Sequence, residues 1–487
     1  VTPSPSSSWP ARRWWTLGVI CVAQLMVALD ATVINIALPW AQRDLRFSNG
    51  DRQWLLTAYA LAFGSLLLIG GRLSDLWGRR PALLVGLVGF AGASVLGGSA
   101  QSFRALVIAR ALQGVFAALV APAALAVLTT TFQDPKERAN SFSLFGAVSG
   151  SGFAVGLILG GALTQWSSWR WCLYANVVIC VVAALGVLAF VDSSRGERRT
   201  SLDVVGTFVG SAGLFFVVYG FGHAVTSSWA DESTWGSLFA GVALLGVFVA
   251  GQRRSPHPLV PLRLLLQRTR GGSLLALFVT SLGVLSLSLF LAYYFQNTLD
   301  YTPLRTGIYF LPLLVAMAVS TVLASARLLA RVGPRPLVPV GLILAMLGMI
   351  LFTKLTPQAD YFGTVLPGLV VTGLGLGLIL APATASATAG IDRGDAGAAA
   401  ALVNTTQQVG ASVGTALLNT IAVTVYTRYL LAPHGTHEWS VLTAATLHGY
   451  AVAFWWAAGF FGVGAVATFF LLESGVPELE GDLVPML

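Results

Sequence analysis

Gly71-Arg72-Leu73-Ser74-Asp75-Leu76-Trp77-Gly78-Arg79-Arg80-Pro81 carries four ionised side chains between two long apolar runs. Three of the four are cationic, which assigns the stretch to the cytoplasmic side of a membrane. A worn copy follows 255 positions later, Ala326-Arg327-Leu328-Leu329-Ala330-Arg331-Val332-Gly333-Pro334-Arg335-Pro336. Arg72, Leu73, Gly78, Arg80 and Pro81 recur as Arg327, Leu328, Gly333, Arg335 and Pro336, whereas Asp75 becomes Ala330. One charged hairpin used twice, at matching places in two halves, implies an internally duplicated membrane protein. The copies have diverged, because the first keeps its acid and the second has lost it.

Composition agrees. The chain is 56% hydrophobic and 10% charged, with a mean hydropathy of +0.77. A soluble domain carries about 25% charge, so most of this surface has to face lipid. The net charge of +8 would suggest nucleic acid in a soluble protein. Here the basic residues sit in short loops between apolar runs and set orientation instead. Lysine occurs only at Lys136 and Lys354 against 26 arginines, which with abundant alanine and glycine points to a bacterial genome of high GC content. Cys21, Cys172 and Cys180 fall in apolar runs without metal-ligand spacing and read as small core residues.

Runs of spanning length fall near 14–39, 54–71, 82–100, 105–131, 139–164, 171–191, 204–223, 234–251, 272–296, 304–326, 336–353, 361–387, 397–427 and 448–472. The first is long enough to span rather than be removed as a signal. Fourteen helices with both termini inside place more than twice as many Lys and Arg residues in cytoplasmic loops as in outer ones. The repeat joins the second and third helices, then the tenth and eleventh. The expected organisation is a cytoplasmic tail (1–13), a six-helix half (14–191), two inserted helices (192–252), a basic cytoplasmic linker (253–271), a second six-helix half (272–472) and a cytoplasmic tail (473–487). The inserted pair has no acid in its apolar interior and reads as a lipid-facing spacer.

Two lone charges lie within apolar runs. Asp30 is the only acid well inside one, and Arg110 the only intramembrane arginine. At 1.5 Å per residue, Asp30 lies ~14 Å from the outer end of its helix and Arg110 ~12 Å from the outer end of its own. A charge there costs several kcal/mol in lipid and needs a partner or water. Burial favours the neutral form of a carboxyl group, which is what a reversible proton carrier requires. The competing readings are a fixed pair that only holds helices together, and an Asp30 that binds a substrate cation. Asn35 lies about 140° from Asp30 on the helical wheel, so one of the two serves a helix contact. Gly152, Gly156 and Gly160, at spacings of four, form a face that lets another helix approach closely. Asn404, Gln408, Ser412, Thr415 and Asn419 form one polar stripe, too long for a lipid face. Asn35, Gln113, Asn404, Gln408, Ser412 and Asn419 are the candidate lining of a substrate cavity. Tyr293-Tyr294-Phe295 reads as an aromatic belt at the outer interface, with a ligand cage as the alternative.

These motifs together resemble the major facilitator superfamily, and its drug:proton antiporter branch with fourteen transmembrane helices. Gly71, Leu73, Asp75, Gly78, Arg79 and Arg80 match that superfamily's loop motif, which ties the two halves together on the cytoplasmic side. Arg110-Ala111-Leu112-Gln113-Gly114 matches a fourth-helix motif implicated in proton transfer. Gly152, Gly156, Gly160 and Gly161 resemble the antiporter motif of the fifth helix, with Leu157 where the family usually has proline. Trp169-Arg170-Trp171 followed by Asn176 also resembles this branch. The resemblance implies an all-α membrane protein of the major facilitator fold, two six-helix halves plus two inserted helices.

It further implies export of amphipathic compounds, cationic ones among them, in exchange for protons coupled at Asp30 and Arg110. The expected site is a monomeric multi-pass protein in the cytoplasmic membrane, with no cofactor, no metal and no nucleic acid. No Gly-x-x-x-x-Gly-Lys-Ser/Thr stretch is present to bind ATP. The alternatives are a dedicated exporter of one endogenous metabolite or lipid and, from another class, a membrane-embedded enzyme. The second lacks an intramembrane catalytic cluster, and the chain is not expected to be an enzyme.

Overall fold

Lipid offers no water to backbone amides, so each apolar run closes its hydrogen bonds along its own axis as a helix. The computed structural model describes residues 9–132, 134–192, 203–226, 229, 231–254, 267–324, 328–389, 396–432 and 440–473. Most of the basic linker, the second hairpin's Arg327 and the final tail lie outside the described residues. Among those described there is no strand.

In chain order the helices are α1 (Trp9–Leu45), α2 (Trp54–Trp77), α3 (Arg79–Gly98), α4 (Phe103–Thr131), α5 (Pro135–Trp166), α6 (Trp171–Phe190), α7 (Val204–Thr226) and α8 (Glu232–Arg254). They continue as α9 (Arg268–Thr298), α10 (Pro303–Leu323, broken at Phe310), α11 (Pro334–Phe352), α12 (Tyr361–Thr388), α13 (Ala396–Leu431) and α14 (Val441–Leu471). Eleven of them are long and apolar enough to cross a membrane. The other three, α2, α5 and α7, stand at the remaining expected spans. The chain is a multi-pass membrane protein.

The chain divides into two compact units, Val1–Ser211 with Tyr301–Ile308, and Ala212–Asp300 with Tyr309–Leu487. In the first, α1 packs on α4, α5 and α6, α3 on α4 and α6, and α2 on α4. The second repeats the scheme eight helices later: α9 packs on α12, α13 and α14, α11 on α12 and α14, and α10 on α12. The duplication read from one hairpin therefore extends to the packing of whole helices.

The hairpins explain which residues the repeat kept. Gly78 turns the chain from α2 to α3 with φ 94°, and Gly333 opens α11 with φ 73°. An L side chain rarely adopts such a conformation. Arg80 donates from Nη2 to the Leu188 carbonyl of α6 at 2.7 Å. Its counterpart Arg335 lies 5.2 Å from the Phe469 ring of α14. Arg80 thus meets α6, and Arg335 meets α14. The side chains of Arg72, Asp75 and Ala330 lie outside the described residues.

Helices α7 and α8 pair through small residues. A β-carbon on Gly213 would meet Leu245, and one on Gly220 would meet Leu238. Phe208, Phe239 and Val242 are exposed, as lipid-facing side chains are. The pair is anchored to α13 by Thr420, whose hydroxyl donates to the Phe221 carbonyl at 3.2 Å. Between α7 and α8, Ser233 hydrogen-bonds Asp231 from its backbone N–H and its hydroxyl, which holds that carboxyl below its ordinary range.

The expected aromatic belt is corrected. Tyr293, Tyr294 and Phe295 are buried, not laid along an interface. The last five residues of α9 are π-helical, as are the first five of α12. Phe295 packs 5.6 Å from Phe310 and 6.4 Å from Tyr361, ring centre to ring centre. The Tyr294 hydroxyl donates to the Thr356 carbonyl at 2.7 Å. A run of three adjacent aromatics cannot all face outward on a helix, and the packing of α9, α10 and α12 claims them.

Candidate functional site

The site is built on α1, where Asp30 is 2% exposed. A bare carboxylate at that depth is untenable, and the first unit supplies three donors from two helices. Arg110 of α4 donates from Nη1 to Oδ2 at 2.7 Å. Asn176 of α6 donates from Nδ2 to Oδ1 at 2.6 Å, and Gln113 of α4 from Nε2 to the same oxygen at 3.1 Å. Gln113 follows Arg110 by three residues, so both fall on one face of α4.

The cation is held as fully. Arg110 is 1% exposed. Its Nε donates to the Leu55 carbonyl of α2 at 3.1 Å, and its Nη1 also reaches Gln113 Oε1 at 2.8 Å. Its guanidinium carbon lies 4.6 Å from the centre of the Tyr59 ring, within cation–π range. Gln113 Nε2 donates onward to Ser94 of α3 at 2.9 Å. Helices α1, α2, α3, α4 and α6 thus each contribute to one enclosed network, facing neither lipid nor water in this arrangement.

Small residues let α1 sit where it does. A β-carbon on Gly152 would meet Ala28, one on Gly156 would collide with Thr32, and one on Gly160 would press on the Val33 backbone. The glycine face of α5 is therefore applied to the stretch of α1 that carries Asp30. Gly161 meets Pro303 and Leu304 instead. Leu157, where the resembled motif has proline, is buried within an unbroken α5.

The six candidate cavity residues separate. Gln113 belongs to the Asp30 network. Asn35 is fully buried, and neither end of its amide has a partner among the described residues. Ser412 and Asn419 are buried on α13, while Asn404 and Gln408 are partly exposed. Beside the stripe, Gly410 and Gly414 bring α13 against Phe278 and Leu282 of α9. Of the hairpin residues, Gly71 lies near Pro122 of α4, Gly78 makes the turn, Arg80 reaches α6, and Leu73 and Arg79 are partly exposed.

Three members of the network, Ser94, Tyr59 and Asn176, escape sequence reasoning. Asn176 left a signal, being the only carboxamide in the otherwise apolar α6. Ser94 and Tyr59 left none, since small hydroxyls and aromatics are common in such helices.

In the second unit an aromatic cluster joins three helices. On α9, α11 and α14, Phe290 stacks on Tyr450 at 5.0 Å and meets Phe454 at 5.8 Å, and Phe454 meets Phe352 at 5.6 Å. Among the described residues no group of three or more His, Cys, Asp or Glu is placed to hold a metal.

The family model described as Major Facilitator Superfamily matches residues 20–415. Puromycin resistance protein pur8 of Streptomyces alboniger is 47% identical over 465 residues, covering 95% of this chain and 92% of that one. Cephamycin export protein CmcT of Amycolatopsis lactamdurans is 35% identical over 409 residues, covering 83% and 84%. A solved bacterial homolog of the human lysosomal transporter Spinster, in an inward-facing and unoccupied conformation, matches with a TM-score of 0.66. It covers 96% of this chain and 98% of that one at 17% identity, a likeness of fold alone.

Proposed function

The chain belongs to the Major Facilitator Superfamily, a family of transporters rather than enzymes, and from that premise we propose that it is a proton-coupled antiporter exporting amphipathic drugs or antibiotics across the cytoplasmic membrane by alternating access. The observation that carries the reading is the buried Asp30–Arg110 pair, 2.7 Å apart inside the first unit. A proton on Asp30 cancels the counter-charge of Arg110 and turns one carboxyl oxygen from acceptor into donor. The network that fits the carboxylate then no longer fits, and α1, α2, α3, α4 and α6 all bear the consequence. Such a two-state element is what coupling requires. Opening of these helices in another conformation gives the proton its route to water.

Export is supported by the resistance and export proteins among the relatives. In this reading both termini and the Gly71–Pro81 hairpin are cytoplasmic. The candidate lining of the substrate path is Asn35, Asn404, Gln408, Ser412 and Asn419. The glycine face of α5 lets α1 move against it. The driving force is the proton gradient, no cofactor is needed, and the working unit is a monomer.

Purified protein in liposomes tests this directly, with an imposed pH gradient and a panel of dyes together with puromycin. Export that rises with an inward proton gradient and collapses with an uncoupler is expected. A flux indifferent to the gradient ends the antiport reading. Two observations favour narrower readings. The enclosure of Asp30 suits a fixed structural pair, which export by Asp30→Asn that keeps its full dependence on the pH gradient would support. The single compounds named for two relatives suit a dedicated exporter, which transport of puromycin but none of the dyes would support.

A further inference from the structure

The two amides that donate to Asp30 are held differently. Gln113 is fixed at both ends, since Nε2 donates to Asp30 and Ser94 and Oε1 accepts from Arg110. Asn176 is fixed at one. Its Nδ2 donates to Asp30 Oδ1, while its own Oδ1 is buried with no hydrogen-bond partner among the described residues. A carboxamide is a donor at one end and an acceptor at the other. Turning Asn176 about its Cβ–Cγ bond sacrifices only the bond to Asp30 and brings its oxygen to the same carboxyl oxygen. The same turn at Gln113 would break its bonds to Asp30, Ser94 and Arg110 together.

A carboxylate and a carboxylic acid make opposite demands on that neighbour. The carboxylate needs an N–H, and the acid, protonated on Oδ1, needs an acceptor. We propose that Asn176 is the positioning residue that answers the protonation of Asp30: its amide donates to the carboxylate and, turned over, accepts from the O–H of the acid. The proposal rests on the reading of Asp30 as the coupling acid.

The proton comes from water and adds to Oδ1, and no covalent bond breaks in the protein. The titratable groups around this site are Arg110 from α4, which donates to Asp30, Tyr59 from α2, whose ring lies against that guanidinium, and Cys172 and Cys180, four residues either side of Asn176 on α6. The face of α5 applied to α1 is glycine, and α3 contributes Ser94. Asp30 is thus the one carboxyl in the group. Its change of state is transmitted to α6 through a single amide, while Gln113 keeps its grip on Arg110.

Infrared difference spectroscopy between alkaline and acidic buffer, on the chain reconstituted in liposomes, tests this. A carboxylic-acid C=O band that rises on acidification is expected, and it should vanish in Asp30→Asn. In Asn176→Leu the band should move to higher wavenumber, because the acid has lost its acceptor. In Asn176→Ser, whose hydroxyl both donates and accepts, it should stay near its original place. A band unmoved in Asn176→Leu overturns the role of Asn176 and leaves Asp30 a proton site. Absence of any Asp30-dependent band at every pH overturns the coupling reading, and this proposal with it. Should Asn176→Leu not fold, asparagine labelled with carbon-13 at its side-chain carbonyl replaces the substitution, with Asn176→Ser identifying the Asn176 signal. An Asn176 amide band that does not shift with acidification refutes the turn.

Discussion

Gly78 and Gly333, 255 residues apart in the chain, make the same turn in two copies of one hairpin, with φ of 94° and 73°. Their partners Arg80 and Arg335 then reach α6 and α14 respectively. A β-carbon at positive φ strains the backbone by roughly 1–2 kcal/mol. Gly78→Ala and Gly333→Ala should therefore lower the midpoint of thermal unfolding in detergent by similar amounts. A neighbouring exchange such as Ala82→Gly would report ordinary helix propensity instead. A Gly333→Ala protein as stable as the parent would mean that the second turn is not held in this conformation.

Asp30 and Arg110 support a test that separates mutual shielding from coupling. Removing one member of a buried pair leaves the other uncompensated, at a cost of about 3–5 kcal/mol. Arg110→Gln should thus be markedly less stable than the parent, and Asp30→Asn combined with Arg110→Gln should regain much of that loss. A double-mutant cycle on unfolding midpoints measures it. Export gives the second readout. If the pair serves coupling, the repacked double variant stays unable to use a pH gradient despite its recovered stability. Gradient-driven export returning along with stability would make the pair structural only.

The glycine face of α5 predicts a rescue. Gly156→Ala drives a β-carbon into Thr32 of α1, and overpacking of this kind costs about 1–3 kcal/mol. Export should fall with it, because α1 also carries Asp30. Thr32→Ala removes the atom nearest to the clash and should restore part of both stability and export. It cannot restore all, because the Leu29 carbonyl also lies 3.0 Å from the added carbon. Equal defects in Gly156→Ala with and without Thr32→Ala would show that the two helices do not meet there.

Much of this was legible in the residues, and the limits have physical causes. Apolar length fixes a membrane helix almost alone, since lipid leaves the backbone no other hydrogen-bonding solution. Two lone charges at similar depth point to each other for the same reason. What neither length nor charge encodes is the neighbour across a helix interface. Ser94 and Tyr59 look ordinary along the chain and acquire a role only where α2 and α3 close on α4. Along the chain Gln113 suits a cavity lining as well as a buried network, because an amide in an apolar helix fits either location. Tyr293–Phe295 failed for a related reason: aromatic side chains suit a membrane interface and a packed core equally well, and only tertiary packing decides between them.

That ambiguity makes Tyr294 a useful probe. It is fully buried, and its hydroxyl donates to the Thr356 carbonyl at 2.7 Å. Tyr294→Phe keeps the ring and removes the donor, which should cost about 0.5–1.5 kcal/mol for one hydrogen bond. Tyr294→Ala empties the space between helices, and by analogy with other large aromatics costs about 3–5 kcal/mol. An interface belt residue would behave differently. There the hydroxyl finds water or a lipid headgroup, Phe is nearly neutral, and the loss on going to Ala varies with the thickness of the bilayer. Unfolding midpoints measured in detergent and in nanodiscs of two acyl-chain lengths distinguish these cases. Graded losses independent of chain length are expected for Tyr294. A Phe variant indistinguishable from the parent, with an Ala variant sensitive to chain length, would return the aromatic run to the membrane surface.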